Sequence, residues 1–166
     1  MSVQMSYGYS TPRGIPGGLY DQSPYVVDTR LNEADNGAML FGMGVVQGSV
    51  PGTNIDLPTA SSTAADFEGI TVNGFTQQHD LEGKIALNNN QSVGVLRQGR
   101  LWVRLADEVD PAYGDDVYLS IGADAGLFYN AEQKTEQTVT TIKLNAKFIG
   151  GKGSGAVAPI ALFAGE

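Results

Sequence analysis

The sequence predicts an all-β protein, a small β-barrel or β-sandwich of short antiparallel strands with an extended N-terminal arm. Three observations lead to this fold class. Apolar and polar residues alternate with a period of two in several short segments, the pattern of half-buried strands. Glycine (22) and proline (7) are abundant among the 166 residues, so turns recur along the chain. No segment carries the 3.6-residue periodicity of an amphipathic helix.

The length fits one domain with an appendage, and we divide the chain into an arm, residues 1–37, and a β-rich domain, residues 38–166. Three prolines and several glycines in the first 28 residues predict neither a helix nor an interior strand there. Four of the seven tyrosines nevertheless lie in the first 25 residues: Tyr7, Tyr9, Tyr20 and Tyr25. A solvated tail is poor in aromatic residues, so we expect the arm to lie on its own domain or on a neighbouring chain. A flexible tag is the third alternative.

The first half of the domain contains short strand signals separated by turns. The apolar run Met39–Val46 fits a buried strand, and its glycines allow close backbone approach. Residues 50–66 are small and polar and read as a loop, with one short strand at Thr53–Leu57. Phe67–Val72 and Lys84–Leu87 are further strand candidates.

The second half shows the alternation more clearly. Gly99 is expected to be a hairpin residue that joins strands Val93–Arg97 and Leu101–Leu105. Alternation predicts another strand over Val117–Ile121, followed by a turn and a short segment at Leu127–Tyr129.

The last two predicted strands close the chain. Val139–Ile149 gives the longest alternating signal, because a helix would scatter its apolar residues around the circumference. Residues 150–155 form a glycine-rich turn, and Ala156–Phe163 is the final strand. Pro159 within it predicts an edge strand or a bulge, since proline cannot donate a ladder hydrogen bond.

Composition excludes several classes of function. The chain has no cysteine and one histidine, so it offers no disulfide, thiolate nucleophile, Cys-based metal site or multi-His site. A net charge of −8 argues against binding nucleic acid through its phosphates. No apolar stretch approaches the length of a membrane span and no signal layout is present. We therefore expect a soluble protein made inside a cell, with no nucleic-acid or membrane partner.

No pattern of catalytic residues stands out, and we expect no enzyme activity and no cofactor. His79 lies in a polar turn, and no nucleophile elbow accompanies it. Five acidic residues cluster between Asp107 and Asp116, where carboxylates could hold an incidental calcium ion. The EF-hand spacing is absent, however, so a solvated acidic loop is the favoured interpretation.

Trp102 is the most conspicuous candidate for a contact surface. It lies between Arg100 and Arg104 on the polar face of its predicted strand. Either this face packs beneath the N-terminal arm, with arginine stems covering the indole, or it anchors a partner, since Trp, Tyr and Arg dominate binding hot spots. The sequence leaves both interpretations open.

In the second half, the strand block of residues 93–105 is followed by Asp110–Leu119, the short segment Gly126–Tyr129 and two closing strands. This pattern resembles the structural cement (capsid decoration) proteins of tailed bacteriophages. The glycine of the family's V-x-P-G-D-x-V-Y pattern is offset here, in Val109–Asp115. The opening Gly14–Gly18 is also similar, and the resemblance covers roughly residues 10–50 and 90–163. It implies part of a small β-barrel and no active site.

The resemblance and the composition together predict a protein of the virion, on the exterior of the capsid and assembled in the host cytoplasm. Its expected partners are the major capsid protein and further copies of itself, as a dimer or trimer. The predicted contact residues are Tyr7, Tyr9, Arg13, Tyr20 and Tyr25 on the arm, with Arg100, Trp102 and Arg104 on the domain. Two alternatives remain: a tail or fibre module that binds a receptor or sugar, and a hydrolase that uses His79.

Overall fold

The computed structural model describes residues 14–74, 87–133 and 139–163. These residues form an all-β protein with a small β-barrel, as predicted, and the single helical element among them is a 3-10 turn at Ala64–Asp66. No helix in these ranges is long and apolar enough to cross a membrane. The strands are β1 Val26–Asn32, β2 Gly44–Gln47, β3 Asn54–Asp56, β4 Phe67–Thr71, β5 Ser92–Arg104, β6 Asp116–Gly122, β7 Phe128–Tyr129, β8 Val139–Phe148 and β9 Val157–Leu162.

The first five strands form the barrel. They pair in the order β1-β3-β2-β4-β5, and β5 pairs with β1 to complete the ring. Closure matters because it leaves no exposed strand edge around the barrel. Its interior is a compact apolar cluster of Ala34, Met39, Phe41, Val45, Ile55, Leu87, Val93 and Val95.

The remaining strands form a second sheet in the order β5-β9-β8-β6-β7. A bridge between Leu105 and Phe128 brings β7, the outermost strand of this sheet, back to the end of β5. This sheet therefore also curls around its own core. The alternating apolar residues of β5, β6, β8 and β9 fill that core, with Phe128 and Phe148 as its largest fully buried side chains.

Strand β5 belongs to both sheets, and the predicted hairpin at Gly99 is wrong. The strand runs continuously through Ser92–Arg104, pairing with β1 up to Gln98 and with β9 from Gly99 onward. Gly99 has φ +133°, and a Cβ there would lie 2.7 Å from the Cβ of Tyr25. The glycine thus allows a close approach inside a strand, which alternation alone does not distinguish from a turn.

Two other predictions need correction. The stretch predicted to lack strands contains the start of β1, whose mostly exposed residues give little apolar alternation. Within Met39–Val46 only Gly44–Val46 lie in a strand, since Gly42 takes φ +76° and turns the chain. Strands at 53–57, 67–72, 117–121 and 139–149 are confirmed within one or two residues. Residues 84–86 lie outside the described residues, and the boundary at residue 37 stays a prediction.

Pro159 does not lie in an edge strand, because β9 is paired with β5 on one side and β8 on the other. Its partner on β5, Trp102, directs its own N–H away from β9, to Gly18. The missing donor of Pro159 therefore faces Ile149, one residue past the end of β8, whose N–H donates to the Pro159 carbonyl at 3.0 Å. Only a terminal ladder bond is absent, so a central proline is tolerated.

Candidate functional site

Residues 14–20 lie along the C-terminal half of β5, and we call this segment the strap. Gly17 N–H donates to the Trp102 carbonyl at 2.8 Å, and Trp102 N–H donates to Gly18 at 2.9 Å. Tyr20 N–H continues the pattern with the carbonyl of Arg100 at 3.0 Å. The strap thus satisfies backbone groups of β5 that β9 does not reach. In this part of the predicted arm, the chain lies on its own domain.

The glycines of the strap are required by close backbone contacts. Gly17 has φ +74°, and a Cβ there would lie 2.8 Å from both the Asn73 nitrogen and the Thr71 carbonyl oxygen. Gly42 has φ +76°, and a Cβ added there would lie 2.8 Å from the Gly17 nitrogen. Asn73 N–H donates to the Gly17 carbonyl at 2.9 Å. The strap is therefore locked between β5, the end of β4 and the Gly42 turn.

Trp102 is half-buried beneath this strap. Its indole lies 5.7 Å from the ring of Tyr20, centroid to centroid, with the planes tilted by 50°. A Cβ on Gly14 would lie 3.4 Å from the indole and 2.5 Å from Val157. The structure thus brings Trp102 and Tyr20 together as an intramolecular aromatic pair, in the arrangement where the arm covers the indole.

Of the two flanking arginines, Arg100 holds the N-terminal region in place and Arg104 holds the turn before β2. Arg100 forms an ion pair with Asp21 at 2.9 Å. Hydrogen bonds from Ser23, and then the Arg100 guanidinium, lower the pKa of Asp21. Arg104 donates through Nε to the carbonyl of Phe41 at 2.8 Å, and its burial lowers its own pKa. Both arginines bind within their own chain.

Exposed apolar side chains recur along the chain from the strap to β1. Six of the nine large hydrophobic side chains exposed in the described residues lie between residues 15 and 31, and we call this set the apolar surface: Ile15, Leu19, Tyr25, Val26, Val27 and Leu31. The Cα and Cβ atoms of Tyr25 lie against Gly99. The pairing of β1 with β5 shifts register between Val26 and Val27, and both valines are exposed. Folding leaves these apolar side chains in solvent, so they are the candidates for contact with a partner.

Of the apolar surface, the sequence predicts Tyr25 as a contact residue but none of the aliphatic residues. Exposed aliphatic residues give no periodic signal, so the exposure of Ile15 and Leu19 becomes visible only with the strap in place, and that of the β1 residues only with the strand paired. The predicted contact residues Tyr7, Tyr9 and Arg13 lie outside the described residues. His79 does as well.

A charged cluster on the barrel wall was also missed. Glu68 is 5% exposed and accepts hydrogen bonds from Arg30 Nε at 3.2 Å and Arg97 Nη1 at 3.3 Å. Asp28 accepts from the same two arginines, at 3.0 and 3.5 Å. Residues from β1, β4 and β5 are thereby joined by paired charges, the condition under which a buried carboxylate is tolerated.

The acidic loop is organised by internal hydrogen bonds. Asp115 accepts from the Ala112 N–H at 2.9 Å and from Asn130 Nδ2 at 3.2 Å, and these bonds lower its pKa. Among the residues that the structure describes, no group of three or more acidic or histidine side chains could hold a metal ion.

Comparisons with known proteins agree with this architecture. A family model described as structural cement protein (E217 gp24/Pam3 gp6) matches residues 3–163. A chain of the solved structure "The capsid of Myoviridae Phage XM1" is similar in fold, with a TM-score of 0.70 and 18% sequence identity. The alignment covers 98% of each chain. The search of curated proteins found no match.

Proposed function

Because this chain belongs to the structural cement protein family and has a structural role in a phage capsid, we propose that it decorates the outer surface of the head. In this proposal it binds between major capsid protein subunits and strengthens the shell against the pressure of packaged DNA. It joins the head in the host cytoplasm. It acts through binding alone, without catalysis or a cofactor.

The apolar surface is the observation that carries this proposal. The strap hydrogen bonds hold Gly17, Gly18 and Tyr20 on β5, and Gly14 lies against Trp102 and Val157, so the exposed Ile15 and Leu19 are presented from a fixed segment. Tyr20, Arg100 and Trp102 hold this segment in place, and Arg104 holds Phe41 beside it. The proposed capsid contacts are Tyr7, Tyr9, Arg13 and Tyr25, together with the exposed aliphatic residues beside Tyr25.

Charge and multiplicity support the same role. A chain with a net charge of −8 is repelled by DNA, while Arg13, a proposed capsid contact, can pair with a carboxylate of a protein shell. Many copies on a symmetric lattice add weak individual contacts into strong retention.

A binding assay with matched variants tests the apolar surface. Val26 is 47% exposed on this surface, and Val50 is 51% exposed on a loop outside it. We expect Val26→Ser to weaken co-sedimentation with capsids that lack this protein, because it removes apolar contact area. Val50→Ser should bind like the parent chain. Equal binding by both variants would refute the proposed surface, provided that both unfold at the parent's temperature.

Copy number tests the proposed function itself. Quantitative mass spectrometry of purified virions should give this chain and the major capsid protein in a ratio near one or a simple fraction. A handful of copies per particle would instead indicate a tail or fibre module. An activity lost in His79→Ala would support the hydrolase alternative.

A further inference from the structure

Asparagine followed by glycine occurs twice in the sequence, at Asn36–Gly37 and at Asn73–Gly74. This dipeptide is chemically labile, because asparagine is a thermolabile residue and a glycine nitrogen, with no Cβ beside it, can approach the side-chain amide carbon closely. In a folded chain the reaction depends on whether these two groups can meet. The two dipeptides differ in this respect.

Asn36–Gly37 is held by hydrogen bonds on both reacting groups. Gly37 N–H donates to the Leu87 carbonyl at 3.0 Å, so the nucleophilic nitrogen is engaged. Asn36 Oδ1 accepts from the Asn89 N–H at 2.8 Å, which fixes the side-chain amide. Asn89 is fixed in turn, because its side chain donates to the Glu33 carbonyl at 2.8 Å. Both bonds to Asn36–Gly37 must break before the reacting groups can meet, although this turn is exposed.

Asn73–Gly74 lies just after the end of β4 and is partly exposed. Asn73 N–H donates to the Gly17 carbonyl at 2.9 Å. This bond involves neither reacting group, since the reaction uses the side-chain amide of Asn73 and the nitrogen of Gly74. Within the part of the chain that the structure describes, no hydrogen bond engages either of these two groups. The side-chain amide can therefore turn onto the backbone nitrogen without breaking such a bond.

We propose that Asn73 deamidates spontaneously in the folded protein, that Asn36 is protected, and that the modification weakens the attachment of the strap. The Gly74 nitrogen loses its proton and forms a bond to the side-chain amide carbon of Asn73, whose nitrogen leaves as ammonia. Water then opens the cyclic imide at either carbonyl. The products are aspartate and the isomer whose backbone runs through the side chain.

The effect on the strap follows from the position of Asn73. Gly17 packs so closely that a Cβ on it would lie 2.8 Å from the Asn73 nitrogen. Both products carry a new carboxylate at residue 73, and the isomer also lengthens the backbone by a methylene group. The added charge and the longer backbone both disturb the contact that holds the Gly17 carbonyl, so the hydrogen bond between these residues is weakened.

Peptide mapping by mass spectrometry tests both dipeptides in one sample. During storage of the folded chain at mildly alkaline pH, deamidation at Asn73 should proceed about thirtyfold faster than at Asn36, the factor expected for two hydrogen bonds that must break. In denaturing urea the two rates should converge, because the same dipeptide then reacts without the fold. Equal rates in the folded chain, or a faster reaction at Asn36, would overturn the proposal.

The fluorescence of Trp102, the single tryptophan, tests the effect on the strap that covers it. The emission of the aged parent chain should shift to the red in proportion to the fraction modified at residue 73. Asn73→Gln keeps an amide but forms the larger cyclic imide far more slowly, so this variant should keep its spectrum under the same storage. A parent chain that is modified at residue 73 and keeps its spectrum would overturn the effect on the strap. The assay contains no capsid, so its outcome is independent of the proposed function.

Discussion

Replacing Gly17 by alanine should loosen the strap from β5. The φ of +74° costs an L-residue about 1–2 kcal/mol. The new Cβ would also meet two backbone atoms at 2.8 Å and the Gly42 nitrogen at 3.0 Å. These backbone atoms take part in hydrogen bonds and cannot move aside as a flexible side chain can, so overpacking adds a further cost of about 1–3 kcal/mol. The expected strain is about 2–5 kcal/mol in the attached state.

The variant can relieve this strain by releasing the strap from β5, so the cost of release sets an upper limit on the destabilisation. Three hydrogen bonds join the strap to β5 and a fourth joins it to Asn73. At about 1 kcal/mol net for each bond, detachment costs about 4 kcal/mol, before the exposure of Trp102 is counted. The strain in the attached state and the cost of releasing the strap are therefore comparable. We therefore expect Gly17→Ala to lower the free energy of unfolding by about 2–4 kcal/mol and to populate a state with the strap released.

The chain contains a built-in reporter and a matched control. Trp102 is its single tryptophan and lies under the strap, so release should shift its fluorescence to the red and increase its quenching by acrylamide. Gly52 has φ +78° with nothing within 4 Å of an added Cβ. Gly52→Ala should therefore cost only the backbone term, about 1–2 kcal/mol, and leave the fluorescence unchanged. If both variants gave the same urea midpoint and the same spectrum, the close-contact argument for Gly17 would be wrong.

Two further predictions concern charged groups. Glu68→Gln should lower the free energy of unfolding by about 2 kcal/mol, because it leaves the largely buried Arg30 guanidinium facing a neutral partner. Asp28→Asn, at a more exposed carboxylate, should cost less than about 1 kcal/mol in the same urea titration. Hydrogen bonds from Lys143 and Lys147 lower the pKa of Asp116, so its stabilising contribution is complete above the ordinary aspartate pKa and is lost as the pH falls through the lowered value. Carbon-detected NMR titration should show this pKa rising in Lys143→Met, and an unchanged pKa would contradict the assignment.

The strands that could be predicted are those whose two faces differ in burial. In β8 the residues from Leu144 to Phe148 alternate between buried and exposed, so the period of two is visible in the sequence. β1 has partners on both edges yet buries only Asn32 completely, and its seven residues give no such pattern. Its place in the barrel depends on pairing with residues more than sixty positions later. Local sequence carries no information on that partner.

The candidate contact surface could likewise be predicted only in part from the sequence. Aromatic residues near glycines indicated that the N-terminal region touches something, and both interpretations of Trp102 required a covering element. The two interpretations differ in whether the arm or a partner covers Trp102. The answer depends on whether the chain at Gly17, which has no side chain, fits between β5 and the end of β4, and this is a property of the tertiary structure. Val26 and Val27 are exposed at a shift in the register of β1 against β5, and the residue types at these positions do not predict that shift.

The strap also changes what the glycine-rich opening of this sequence means. Gly14 and Gly17 both occupy positions where a Cβ would collide with the chain's own body, so their presence is explained by folding. Residues selected for such close contacts carry no information about a partner, whereas Ile15 and Leu19, which lie between and beyond them, direct apolar area into solvent. Folding gains nothing from that exposure. Capsid binding is therefore best sought in the side chains interleaved with the glycines rather than in the glycines themselves.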